Sequence, residues 1–300
     1  MPSSAILTNC TSSKSFDPAP RQMARTMECS DIRGLSREWS TRRLDADRIP
    51  VRDLYQGRSF KIAQRAADWA GSSLYAVSAG YGVLQADDRI PPYSLTISGE
   101  SEDNILIKAG GAKAAAWWRE LEPLKSIVAD LADFAVVMIA LPTEYLLMIE
   151  EEICGLKRSM SGELLIFACP GVASRLHPNM AESVLPYGKS LECADSPVKG
   201  TGSDAAQRRL LHFTTHLVPQ LAPCFSHADA KQAVETFAKT LLPSTRKPGR
   251  TVSDQEVVEL ISSLASRGVT SRTAALRHLR SVEGVACSQE RFQSLFRSVQ

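Results

Sequence analysis

Three hundred residues, 44% of them hydrophobic, are enough to bury one sizeable core and a small appendage. No run approaches the roughly 18 consecutive apolar residues of a membrane span, and Met1-Pro2-Ser3-Ser4-Ala5 lacks the charged start and apolar stretch of a signal peptide, so the expected location is the cytoplasm. The net charge of +2 hides an asymmetry: residues 246–300 carry nine Lys or Arg against five acids, whereas the first 245 hold 26 basic and 28 acidic side chains, so a polyanionic partner is expected at the C-terminal end.

In chain order, Ala5–Thr8 reads as a short apolar strand running into Thr8-Asn9-Cys10-Thr11-Ser12-Ser13-Lys14, small hydrogen-bonding side chains and one cation that can hold a phosphate or a polar base. The spacing is neither a Walker loop nor a dinucleotide fingerprint. Next, Val51-Arg52-Asp53-Leu54-Tyr55-Gln56-Gly57-Arg58 puts an acid, a tyrosine and two arginines ahead of a helix over Ser59–Ala70. Asp53 is a candidate for activating water or stabilising a cationic sugar, or is an ordinary acid at a helix start; Arg52 and Arg58 can face phosphates.

A second strand over Leu74–Val77 is broken by Ser78-Ala79-Gly80-Tyr81-Gly82-Val83-Leu84, with Ile90-Pro91-Pro92-Tyr93 following. At the C-terminal edge of a sheet, Gly80 and Gly82 would let the backbone approach a ligand between tyrosines able to stack on it; a tight turn with tyrosines packed for structure is the alternative. Helical pattern over Ala112–Val128 carries Trp117 and Trp118, of which at most one is expected to face the core. A third strand over Phe134–Ala140 precedes a helix N-capped by Thr143 and running through Ile153, with Glu150, Glu151 and Glu152 as solvated surface. The fourth strand, Leu164–Ala168, is followed by a loop-like stretch from Pro170 to Gly202 and by helices over Asp204–Leu217 and Ala228–Leu242. His212 and His216 have zinc-ligand spacing, but no third ligand accompanies them. The seven cysteines, Cys10, Cys29, Cys154, Cys169, Cys193, Cys224 and Cys287, form no Cys-x-x-Cys pair and read as reduced thiols.

Alternating strands and helices predict an α/β domain over residues 1–242, a four-stranded parallel sheet flanked by helices. A linker over 243–250 leads to a small helical unit over 251–300. There, Ser253 and Glu256 form a capping box before Val257, Leu260, Ile261 and Leu264; Gly268 ends that helix. Thr270 or Ser271 starts a second helix with Arg272, Arg277 and Arg280 on polar positions, and Ser288 starts a third. The spacing suits a helix-turn-helix-like unit whose arginines clamp DNA phosphates, with a solvated charged face as the alternative.

Taken together, the Asn9–Lys14 loop, Asp53-Leu54-Tyr55, the Ser78–Leu84 run and Pro92-Tyr93 resemble a bacterial family of uncharacterised YaaA-like domains related to the uracil-DNA-glycosylase superfamily, over roughly residues 4–97. The resemblance implies a four-stranded parallel sheet and a loop after the first strand whose Asp or Asn positions the attacking water, a place comparable to that of Asn9. It also implies a His-Pro motif after the last strand, to which His177-Pro178-Asn179 corresponds. The Gly, Asp and Pro usual around the first motif are missing, so Asn9, Asp53 or neither serves the reaction. The implied function is a DNA N-glycosylase that flips out a modified base of double-stranded DNA, glucosylated hydroxymethylcytosine of phage DNA in antiviral defence being one target, and leaves an abasic site without a metal or cofactor. Its implied catalytic residues are Asn9 and Asp53. Cys10, Ser12, Lys14, Tyr55, Ser78, Tyr81, Gly82, Tyr93 and His177 would bind substrate, and Arg52, Arg58, Arg272, Arg277 and Arg280 would bind DNA. A non-catalytic DNA-binding stress-response protein and a nucleoside- or nucleotide-processing enzyme are the alternatives, the basic C-terminal unit weighing against the second of these.

Overall fold

A computed structural model describes residues 3–43, 48–121, 127–169, 171–192, 196–240 and 249–299. Residues 243–248 of the expected linker, Cys193 and residues 122–126 of the expected tryptophan helix lie outside these. The chain divides into two compact units, Met1–Pro243 and Ser244–Gln300.

Among the described residues the larger unit has seven strands: β1 (Ser4–Asn9), β2 (Ile49–Pro50), β3 (Ser73–Ser78), β4 (Gly82–Gln85), β5 (Arg89–Ile90), β6 (Val136–Ala140) and β7 (Glu163–Phe167). Five form one sheet in the order β4-β3-β1-β6-β7, and β2 with β5 makes a small antiparallel ribbon. The four expected strands pair in parallel, Leu7 opposite Tyr75 on one side and Ile139 on the other. The sheet has a fifth strand, because Gly82-Val83-Leu84-Gln85 turns back antiparallel along β3 as an edge strand. Gly82 makes that return possible with φ 79°, a backbone setting glycine adopts without steric cost.

Every residue of β1 and β6 is buried, as expected of parallel strands covered on both faces. One cover consists of helices Arg58–Ala70, Ala205–His212 and His227–Thr240, packed against β1, β3, β6 and β7. The first of these presents Phe60, Ile62, Ala63, Ala66 and Ala67 as a continuous stripe and ends at Gly71 in the left-handed region. Helices Ile32–Arg42, Ala114–Glu120, Ile127–Leu131, Thr143–Met148 and Glu150–Ser159 make the second group. The expected helix from Thr143 through Ile153 is two helices: Thr143 lies inside the first turn, Pro142 holds the N-cap place, and the chain breaks at Ile149. Glu150, Glu151 and Glu152 therefore open a helix, where acids complement its dipole. They are not simply solvated: Glu152 accepts a hydrogen bond from the Trp118 indole, Glu150 from the His177 backbone N–H, and Glu151 pairs with Arg119. Both tryptophans are buried, contrary to the expectation for adjacent helical positions, because Trp117 reaches the Ala79 carbonyl while Trp118 lies under Glu152.

The smaller unit has its own core of Val257, Ile261, Leu264, Ala275, Leu279, Phe292 and Phe296 on helices Asp254–Ser266, Arg272–Ser281 and Gln289–Val299, with Val285 added from the connection before the third. Ser253 accepts the Glu256 N–H as half of the expected capping box, while the Glu256 carboxylate turns to Arg250. Ser271 and Ser288 precede the second and third helices, and Gly268, at φ 82°, follows the first.

Candidate functional site

From β1 the chain moves outward to β3 and β4, then crosses to β6 on β1's other side and on to β7. The C-terminal ends of β1 and β6 are thus the point where the winding reverses, the place where open α/β sheets keep a crevice. A cleft of about 460 Å³ lies there. The β1 loop from Asn9 to Ser13, the helix start Gly57–Ser59, Leu95, Thr96 and Ser98, the β6 exit at Pro142, Glu144 and Tyr145, and Thr201, Ser203 and Asp204 line it.

Asn9 is fixed from behind. Its Nδ2 donates to the Cys10 carbonyl at 2.7 Å, and its Oδ1 accepts from Gln207 Nε2 at 2.9 Å. The same Gln207 nitrogen reaches the Ala140 carbonyl at 2.9 Å and Thr8 Oγ1 at 3.2 Å, tying the ends of β1 and β6 together. Cys10 Sγ lies 3.2 Å from the Tyr145 hydroxyl, whose ionisation is pushed far upward by burial and then by Cys10, so it stays a neutral hydrogen-bonding group. Glu144 is exposed in the cleft, and its carboxylate has no hydrogen bond or ion pair among the described residues. Asp204 is buried between Arg58 and Arg208. Helix starts and strand exits thus bring an amide, a free carboxylate, a guanidinium and several hydroxyls to one crevice, an arrangement able to hold water and a polar, anionic substrate.

Of the residues singled out from sequence, Asn9, Cys10, Ser12 and Arg58 line this cleft. Asp53 does not: it is exposed on the short helix Val51–Leu54 and outside the cleft lining. Arg52 is exposed and paired with Asp87 at 2.7 Å. His177 N-caps the turn Pro178–Ala181, accepting the Asn179 N–H through Nδ1, and also lies outside the lining. The tyrosines expected to stack on a base are interior. Tyr55, Tyr81 and Tyr93 are at most 2% exposed, and the chain Tyr55 Oη, Tyr93 Oη, Ser78 Oγ runs at 2.9 and 2.7 Å, with Ser78 accepting the N–H groups of Gly80 and Tyr81. Trp39 donates to the Gly80 carbonyl at 2.6 Å and Trp117 to that of Ala79 at 2.7 Å. The glycine run is therefore a tight turn clamped by two indoles, and Ser78, Tyr81, Gly82 and Tyr93 lie in the packing beside the sheet, outside the cleft lining. Lys14 caps this block, its Nζ 4.2 Å over the Tyr93 ring and donating to Thr11 O, with burial lowering its pKa.

Glu144, Tyr145, Asp204 and Gln207 were not anticipated as site residues. Glu144 was findable, because the strand-end rule applied after β1 and β3 applies equally after Ala140. Asp204 and Gln207 carry no local signal, since they meet the cleft only through the packing of a helix some two hundred residues from β1. His212 is buried beside stacked His216, donates to or accepts from the Tyr187 hydroxyl at 3.0 Å, and has its pKa lowered to about 4 by burial and then by His216. Among the described residues no group of three or more His, Cys, Asp or Glu side chains is arranged to hold a metal.

In the smaller unit, Arg272, Arg277 and Arg280 line a groove of about 370 Å³ together with Leu276 and Phe292. Arg272 and Arg277 are exposed and their guanidinium groups have no partner among the described residues, whereas Arg280 donates twice to the Cys287 carbonyl, at 3.0 and 2.7 Å. Arg280 is thus a brace across the unit.

The sheet and its crevice define a mostly parallel α/β protein with its cleft at the winding reversal. A family described as a family of unknown function (DUF6884) matches residues 40–150, which include β3, β4, β6, Glu144 and Tyr145 but not the β1 loop or Gln207. No curated protein and no solved structure matches the chain. No helix among the described residues is long and apolar enough to cross a membrane.

Proposed function

We propose that the larger unit hydrolyses an N-glycosidic bond and acts as a DNA N-glycosylase on a modified base, glucosylated hydroxymethylcytosine of phage DNA being one candidate, in a uracil-DNA-glycosylase-like fold with an added antiparallel edge strand. The observation that carries it is the meeting, at the winding reversal, of a locked Asn9 amide and an unpaired Glu144 carboxylate in one hydroxyl-lined cleft. Glu144 takes the role first considered for Asp53. Water held by Asn9 and Glu144 attacks the anomeric carbon as the bond to the base breaks; the electron pair of that bond leaves with the base, and the water's proton passes to Glu144. The products are the free base and an abasic sugar, and the smaller unit's Arg272 and Arg277 contact backbone phosphates.

The test is incubation with unmodified, uracil-containing and glucosyl-hydroxymethylcytosine-containing DNA, reading alkali-sensitive abasic sites and released bases by mass spectrometry. Glu144→Gln is expected to slow release by about 10²–10⁴-fold, the range of a general acid or base, with DNA binding retained. Release from none of the substrates by the folded protein would overturn the reading and favour a DNA-binding protein without chemistry. One observation favours a nucleoside- or nucleotide-processing enzyme instead: the tyrosines that would stack on a flipped base are interior. Base release from free nucleotides but not from DNA would decide for that alternative.

A further inference from the structure

Asp204 sits between two guanidinium groups. Its Oδ1 accepts from Arg208 Nε at 2.9 Å and from the Thr201 N–H at 2.8 Å, and its Oδ2 faces Arg58 Nε at 2.9 Å. Arg208 is buried, and its other nitrogens are committed to the carbonyls of Leu191, Val198 and Thr201. Arg58 is different. Its side chain is 58% exposed, it lines the cleft, Nη2 donates to the Lys199 carbonyl at 2.8 Å, and Nη1 has no partner among the described residues.

One carboxylate between two permanent cations leaves the Arg58–Asp204–Arg208 cluster with one net positive charge. Glu144 is the other carboxylate lining the cleft, and no ion pair joins it to Arg58 among the described residues. The Arg58 fork is also pre-organised: Asp204 and the Lys199 carbonyl hold it, so little conformational freedom remains to be lost on binding. The hydroxyls of Ser12 and Ser59, in the same lining, have no hydrogen-bond partner among the described residues. A fixed, under-neutralised guanidinium with free hydroxyl donors in the same crevice matches the charge and geometry of a phosphate group, which accepts bidentate hydrogen bonds from arginine.

We propose that Arg58, held by Asp204, anchors a phosphate group of the ligand, so that the cleft takes a sugar phosphate in preference to the bare sugar. The sugar part of this assignment rests on the N-glycosidic reading above; the phosphate part rests on the charge and geometry at Arg58. Asp204 is a positioning residue that acts through Arg58.

The test is the affinity of the full-length protein for deoxyribose, deoxyribose 5-phosphate and an abasic-site oligonucleotide, by titration calorimetry, in the natural sequence and in Arg58→Gln, Arg58→Lys and Arg52→Gln. Deoxyribose 5-phosphate is expected to bind about tenfold or more tightly than deoxyribose, the scale of a charge-assisted hydrogen bond. Arg58→Gln should erase that preference, Arg58→Lys should keep part of it, and Arg52→Gln should leave it unchanged. A larger loss on Arg58→Gln for the oligonucleotide than for deoxyribose 5-phosphate assigns the group to a DNA backbone; the reverse assigns it to a free nucleotide. Equal affinity for the sugar with and without phosphate, or a preference that survives in Arg58→Gln, overturns the assignment. Intact phosphate preference without base release would remove the hydrolytic reading while leaving the anchor in place.

Discussion

Gly80 is held where a side chain has no room. A Cβ at this position would lie 3.1 Å from Trp39 Cζ2 and 3.2 Å from Tyr93 Cε2, both on fully enclosed rings. Gly80→Ala is therefore expected to destabilise the protein by about 1–3 kcal/mol through overpacking, measured as a lower urea midpoint at unchanged m. The same residue marks how far sequence reading carried at this scale. Glycines among tyrosines after a strand carry identical letters whether a ligand or an indole fills the space. Only the position of Trp39, forty residues upstream, decides between them. Asn9, Cys10, Ser12 and Arg58 were legible because they sit directly at a strand exit or a helix start. Asp53 lies on a four-residue helix and is exposed, outside the cleft lining.

At the level of elements, the four parallel strands and the helix over Arg58–Ala70 were legible from apolar runs and their bounding turns, whereas β2, β4, β5 and the helix Ile32–Arg42 were not, and the break at Ile149 was missed. Strand β4 was hidden by its own glycine: Gly82 reads as the end of a strand, yet its positive φ is what lets the chain reverse and pair again. In the smaller unit the three arginines look alike on the helix from Arg272 to Ser281, but their partners separate them. Arg280→Ala should lower the thermal stability of that unit, because it strips two hydrogen bonds from the Cys287 carbonyl. Arg272→Ala and Arg277→Ala should leave melting unchanged while weakening DNA affinity and flattening its dependence on salt, since each phosphate contact contributes to that slope. An unchanged slope would return both arginines to a solvated face.

For the molecule as a whole, each unit has its own core, and proton linkage acts unequally on the two. His212 belongs to the larger unit, and its folded pKa of about 4 lies below the ordinary histidine value. The unfolded chain therefore binds a proton more readily than the folded one. Stability is undiminished above roughly pH 6.5, falls as pH drops through the interval toward 4, and levels off below it. Urea denaturation at pH 7 and pH 4.5 should show the larger unit losing more stability in the natural sequence than in His212→Gln. Equal losses would mean that other groups carry the acid sensitivity.

Gln207 also has a consequence in time. Strands β1, β3, β6 and β7 are all encoded before residue 168, so a growing chain emerging from the ribosome can assemble its sheet early. The amide that steadies Asn9 and ties the ends of β1 and β6 arrives some forty residues later. Until the helix carrying it docks, the nascent protein has a scaffold without a finished crevice. The cleft is thus left incomplete until most of the unit has been synthesised.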